Sequence, residues 1–134
     1  ERDFNDTLKL LKKVEFINSY SFLYSSRPGT PAAKMNNINQ ATAKERLKKF
    51  QKKANEIKMK YKKNLFGTDS QVLFENKVLN KEEYFGKDEF SNSVIVKTNE
   101  DLRGKIKKVK IVGGNQNTLF GEIPQKFNNR VEAA

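Results

Sequence analysis

The chain has 134 residues, enough for one modest domain with appendages, and carries 27 Lys/Arg against 16 Asp/Glu, a net charge of +11. That excess favours a polyanionic partner, either nucleic acid or an acidic membrane surface. With no cysteine and no histidine, disulfides are excluded and a zinc or iron–sulfur centre within this chain is not expected; a mean hydropathy of −0.82 and the lack of a long apolar run exclude a membrane-spanning helix.

The opening Glu1-Arg2-Asp3-Phe4 has no apolar core or cleavage site, so it is not a signal peptide, and it lacks an initiator methionine, as a fragment would. Residues 3–14 read as an amphipathic helix. Phe4, Leu8, Leu11 and Val14 recur at helical spacing, and Asp3 and Asp6 suit the positive end of its macrodipole. Glu15 to Tyr24 reads as a strand, with Tyr20, Phe22 and Tyr24 on one face and Ser21 and Leu23 on the other. Pro28-Gly29 fits the centre of a type II turn, and Pro31 stops any continuation of the strand. By residue type alone this is a surface turn presenting a solvated Arg27.

Residues 34–40 lack periodicity and read as a linker. A long helix is expected from Thr42 to Lys63, with Thr42 as N-cap and Glu45 completing a capping box. Ala43, Leu47, Phe50, Ala54, Ile57 and Tyr61 form one narrow apolar seam. Between Lys44 and Lys63 lie ten Lys/Arg and two Glu, a net of +8. Three readings fit this charge: a solvated face on a connector, a rail for RNA phosphates, or a membrane-surface helix. The lack of tryptophan and the narrow seam count against the last.

From Asn64 the period changes to two. Strands are expected at Ser70–Glu75, Asn92–Thr98, Gly104–Val112 and Thr118–Ile123, with a turn-rich stretch at Tyr84–Phe90 and a turn at Gly113-Gly114-Asn115. Four or five short strands in this span fit a small closed barrel of OB-like kind. Phe74, Phe90 and Phe120 fit either core or surface, and Phe85, beside Gly86 and Lys87, reads as an exposed ring in a loop. The tail after Pro124 has no period and reads as disordered.

One stretch carries a more specific signal. Tyr24-Ser25-Ser26-Arg27-Pro28-Gly29-Thr30-Pro31-Ala32-Ala33 closely resembles the Tyr-Ser-x-Arg-Pro-Gly-Thr-Pro-Ala signature of the radical-SAM tRNA methylthiotransferases. The preceding FINSYSFLYS is most similar to the (dimethylallyl)adenosine branch, and the following AKERLKKFQ resembles the helix that leaves the family's catalytic domain. The order VLFE, YFGKDEFSNSVIV, LRGK, TLFGEI resembles a TRAM domain, a small RNA-binding β-barrel.

The resemblance implies an α+β chain in four parts: 1–40, the terminal piece of a radical-SAM TIM-like barrel; 41–63, a basic connector helix; 64–126, a TRAM barrel; and 127–134, a flexible tail. Arg27 would then sit on a loop facing the catalytic cavity, able to hold a carboxylate or phosphate. Phe16, Ile17, Tyr20, Phe22, Leu23 and Tyr24 would lack their barrel neighbours, so residues 1–40 alone are expected to be poorly ordered, repacked or self-associated.

Barrels of this kind grip looped RNA with cations on phosphates and rings on bases. The candidates are Phe85, Lys87, Phe90, Asn92, Arg103, Lys105, Lys107 and Lys110 on the barrel, with Lys52, Lys53, Lys60 and Lys63 on the helix. The resemblance implies a cytoplasmic parent enzyme that methylthiolates an isopentenylated adenosine beside the tRNA anticodon, using S-adenosylmethionine and two [4Fe–4S] clusters. The cluster cysteines are not in this chain, so no catalytic or metal residue is expected in it, nor activity from it alone. The expected partners are the tRNA anticodon arm and the parent's N-terminal and radical-SAM domains, with no membrane. Alternatives are a relative that modifies a ribosomal protein, one acting on a threonylcarbamoyl adenosine, and a non-enzymatic RNA-binding module. The intact Arg-Pro-Gly-Thr-Pro sequence argues against the ribosomal-protein branch.

Overall fold

A computed structural model describes residues 1–125. Two compact units divide at Tyr61/Lys62, inside the second helix.

In the first unit, α1 (Arg2–Val14) matches the expected helix and ends at Glu15, which takes a left-handed φ of 53°. Leu11 is its buried residue. The α2 helix (Gln40–Leu65) is longer than expected at both ends. Its cap is Asn39 and not Thr42: the Asn39 Oδ1 accepts from Ala41 N at 2.9 Å and from Thr42 N at 3.4 Å. An asparagine just outside the helix reaches the free amides of the first turn before Thr42 can. Arg46 bonds Glu1 at 2.6 Å and lies 5.7 Å from the Phe4 ring centre, while Lys60 lies 3.8 Å from Glu15. The start and end of α1 therefore meet successive turns of α2, and the two helices run in the same direction. The seam residues of α2 are half-buried, and Ala54 is buried.

The strand expected at Glu15–Tyr24 is absent. Among the described residues, no backbone amide from 16 through 29 donates to another backbone group. A strand needs a neighbour to complete its ladder, and the described residues of this unit contain no other strand. It crosses back as extended chain, with Tyr20 88% and Phe22 83% exposed. The Pro28-Gly29 turn does form: Gly29 has φ 81°, and Thr30 N donates to Arg27 O at 3.3 Å. A short 3₁₀ turn, Pro31–Lys34, follows.

The second unit is a closed barrel of β1 (Asp69–Lys77), β2 (Glu83–Asp88), β3 (Ser93–Lys97), β4 (Ile106–Gly114) and β5 (Leu119–Glu122), in the order β1-β2-β3-β5-β4 with β4 returning to β1. The OB-like reading holds, with one refinement: β3 pairs with β5 in parallel, and the other described pairings are antiparallel. The stretch Tyr84–Phe90, expected to be turn-rich, supplies strand β2 instead. Gly86 is no breaker there, because a Cβ would meet Leu73 O and lie 2.8 Å from Val72 Cγ1, so the position admits only glycine. Gly113-Gly114 likewise extend β4, past an irregularity between Ile111 and Gly113, and the turn itself begins at Asn115. Val72, Phe74, Tyr84, Val94, Val96, Leu102, Val109, Ile111 and Leu119 fill the barrel. The reading of the tail after Pro124 as disordered falls almost wholly outside the described residues.

Candidate nucleic-acid interface

Strand alternation decides which side chains the barrel presents. Tyr84, Gly86 and Asp88 point inward from β2, so Phe85 and Lys87 point outward. In β3, Val94 and Val96 are buried and Ile95 faces out; in β5, Leu119 and Gly121 are buried and Phe120 faces out. Register then aligns three of these residues. Phe85 pairs with Ile95, and Ile95 with Phe120. Strands lie about 4.8 Å apart, so the two rings flank Ile95 at a separation of about 10 Å. The row is apolar yet accessible: Phe85 and Ile95 are half-buried and Phe120 is 40% exposed. Lys87 lies two residues along β2 and Lys97 two along β3, and neither has a carboxylate partner among the described residues.

Phe85, expected as an exposed ring in a loop, is instead half-buried and on the outer face of a strand. The loop ring is Phe90, 63% exposed in the β2–β3 turn. Asn92 departs from its expected place at the surface. It is 6% exposed, and its side-chain amide donates to Asp88 at 2.9 Å. The Asp88 carboxylate also accepts from Phe90 N at 2.9 Å and Asn92 N at 2.8 Å. The pair shapes the turn that carries Phe90, which is why a polar residue sits there buried.

The expected basic strand is largely neutralised from within. Arg103 makes a bidentate bond to Asp101, at 2.7 and 3.0 Å. This side-chain bond, with a backbone bond from Arg103 N, lowers the Asp101 carboxyl to a pKa of about 2 and raises that of Arg103. Lys105 and Lys107 share Glu100, each at 3.6 Å. Lys110 is exposed on the outer face of β4 without an ion pair among the described residues.

On α2, Lys53 pairs with Glu56 at 3.3 Å and Lys60 with Glu15, whereas Lys52 and Lys63 are exposed with no carboxylate partner among the described residues. Lys62, one of the helix cations, is instead buried at 3% exposure and donates to the carbonyls of Asn115 and Gln116 at 3.1 and 2.8 Å. It holds the β4–β5 turn. Arg27 is exposed on its turn, with no side-chain partner among the described residues.

Sequence reasoning did not single out Ile95 or Lys97 and left Phe120 undecided. The run Val94-Ile95-Val96 hides its alternation because both faces are apolar. The usable signal for Phe120 was Gly121 after it, an inward position with no room for a side chain: a Cβ there would meet Val109 Cγ1.

Among the described residues, no group of His, Cys, Asp and Glu could hold a metal, and no helix is long and apolar enough to cross a membrane. No protein-family model matches the chain. Curated relatives do. The chain is 40% identical over 131 residues to the tRNA-2-methylthio-N(6)-dimethylallyladenosine synthase of Pelagibacter ubique, covering 98% of this chain and 29% of that protein. The enzymes of the same name from Vibrio vulnificus and Rickettsia bellii are 39% and 38% identical, each over 125 residues and 92% of this chain, and 26% and 28% of their own length. The chain therefore spans little more than a quarter of the relatives it matches. Carried by that similarity, which runs through the Arg27 turn and the barrel alike, the chain belongs to the tRNA-2-methylthio-N(6)-dimethylallyladenosine synthase family, as a segment of it.

Proposed function

We propose that this chain is the tRNA-gripping part of a radical-SAM methylthiotransferase of the bacterial cytoplasm, with a TRAM-type barrel. The observation that carries the reading is the 40% identity, over 98% of the chain, to an enzyme named for making a methylthiolated tRNA adenosine. The parent reaction would add sulfur and a methyl group to an isopentenylated adenosine beside the anticodon. S-adenosylmethionine and two [4Fe–4S] clusters would supply the radical and the sulfur chemistry. This chain has no cysteine to ligate a cluster, so those groups do not fit here, and its own work is binding.

In this reading the outer row of Phe85, Ile95 and Phe120 takes unpaired bases, with Phe90 beside it on the hairpin turn. Aromatic faces accept any base by stacking, at about 1–3 kcal/mol each. Lys87, Lys97 and Lys110 bring charge to the barrel surface, and Lys52, Lys53, Lys60 and Lys63 bring it on α2. Phosphate contacts would hold the arm while the target adenosine leaves its stack. Arg27, on its rigid turn, is left to the catalytic cavity that the remainder of the parent would form.

The test is a titration with a tRNA anticodon stem-loop beside a scrambled hairpin. Preference for the stem-loop, reduced about tenfold or more by Phe85→Ala, is expected. Equal binding of both hairpins, indifferent to Phe85, would contradict the base-reading role. Absence of binding at low salt would contradict the function itself.

A further inference from the structure

The charge of this protein is not where its barrel is. Residues 64–125 hold nine Lys/Arg and nine Asp/Glu, a net of zero. Residues 44–63 of α2 hold the +8 already counted. Of the barrel cations picked out in the sequence, Arg103, Lys105 and Lys107 are already paired with Asp101 and Glu100, leaving Lys87 and Lys110 without a carboxylate partner among the described residues. A phosphate approaching the paired three must first displace a carboxylate and then meet its repulsion.

The α2 helix presents the opposite case. At about 100° per residue, Lys44, Lys48, Lys52 and Lys63 fall within one sector of about 100°. That sector lies away from the seam of Ala43, Leu47, Phe50, Ala54, Ile57 and Tyr61. All four lysines are exposed and have no carboxylate partner among the described residues. Lys44, Lys48 and Lys52 follow one another at intervals of about 6 Å along the axis. Like charges at such spacing repel one another and weaken an isolated helix by a few tenths of a kcal/mol per pair, and an approaching polyanion relieves this.

We infer that the lysine face of α2 is the phosphate-backbone contact of this protein, and that the barrel adds base contacts with little net electrostatic attraction. The inference rests on the reading that the chain binds RNA. It divides the two roles between elements: α2 sets affinity and salt dependence for any RNA, and the barrel row sets preference among RNAs. An acidic membrane surface is the competing polyanion. It is disfavoured because the α2 seam is narrow, lacks tryptophan and is already half-buried within its own unit.

The experiment compares the slope of log K against log salt, with the anticodon stem-loop, for the full chain and two triple variants. One carries Lys44→Gln, Lys48→Gln and Lys52→Gln; the other carries Arg103→Gln, Lys105→Gln and Lys107→Gln. Glutamine keeps the helix propensity, and far-UV circular dichroism verifies the fold. Each lost phosphate contact removes about 0.7–0.9 from the slope, so the α2 triple is expected to flatten it by about 2. The barrel triple is expected to change it by less than one contact's worth. The α2 triple should also weaken a scrambled hairpin by the same factor. A slope untouched by the α2 triple, or flattened more by the barrel triple, overturns the inference and leaves RNA binding standing. Failure of the unaltered chain to bind RNA at low salt, with binding to phosphatidylserine vesicles instead, overturns both.

Discussion

Asp88 shows how a polar residue in a loop-like sequence can be structural. It is 7% exposed, and its two oxygens accept from Phe90 N, Asn92 N and Asn92 Nδ2. Removing the carboxylate leaves these donors buried and unmet. Asp88→Ala is expected to cost about 2–3 kcal/mol in urea unfolding, against about 0.5 kcal/mol or less for Phe90→Ala beside it. Comparable losses would mean that Phe90 is a packing residue. Gly121→Ala should also destabilise, by about 1–3 kcal/mol, since the new Cβ meets Val109 in a filled barrel; an unchanged urea midpoint would contradict that packing. Asp101 offers a different readout. Its folded pKa of about 2 lies below the ordinary 3.8. The stabilisation it provides is therefore complete above pH 3.8 and is lost as pH falls through about 2. Because the pair is exposed, the effect on stability is small, and carboxyl NMR is the better probe. The Asp101 midpoint should return toward 3.8 in Arg103→Ala. A midpoint unmoved by that change would deny the bidentate pair. None of these partnerships was visible in sequence, because each depends on which face a residue takes within a turn.

What the sequence made legible was periodicity. The α2 seam and α1 stripe were readable at helical spacing, and β1 and β4 at spacing two, whereas β3 showed only as a continuous apolar run. Pro28-Gly29 declared its turn because proline and glycine each restrict or permit a specific φ. Three things escaped. β2 was masked by Gly86, whose purpose is close packing with β1. The α2 cap was masked because Thr42 and Glu45 also satisfy a capping pattern, whereas the chain enters from Asn39. Asn39→Ala is accordingly expected to fray the first turn at about 1 kcal/mol, with Thr42→Ala nearly neutral, read by amide exchange at residues 41–45. Third, alternation in Glu15–Tyr24 looked like a strand, although alternation cannot supply a partner. Amides 16–29 should exchange orders of magnitude faster than those of β1 and β4. Slow exchange there in a monomer would show that the segment has found a ladder.

Taken together, the chain separates its chemistry by location. A rigid proline-glycine turn holds Arg27 in one unit, a lysine face runs along α2, and a neutral barrel carries an outward apolar row of Phe85, Ile95 and Phe120 in the other. Composition announced the excess of charge but not its distribution, since the acidic residues that cancel the barrel's cations are scattered through its strands and loops alike. The tRNA-binding role proposed above would account for such a surface. At 15.5 kDa the protein suits the most direct test, a ¹⁵N–¹H NMR titration with a tRNA anticodon stem-loop. The account predicts shifts that cluster on Phe85, Lys87, Ile95, Lys97 and Phe120 and along Lys44, Lys48 and Lys52, leaving the Asp101–Arg103 loop and the α2 seam quiet. Shifts confined to that loop, or no shifts at low salt, would contradict it.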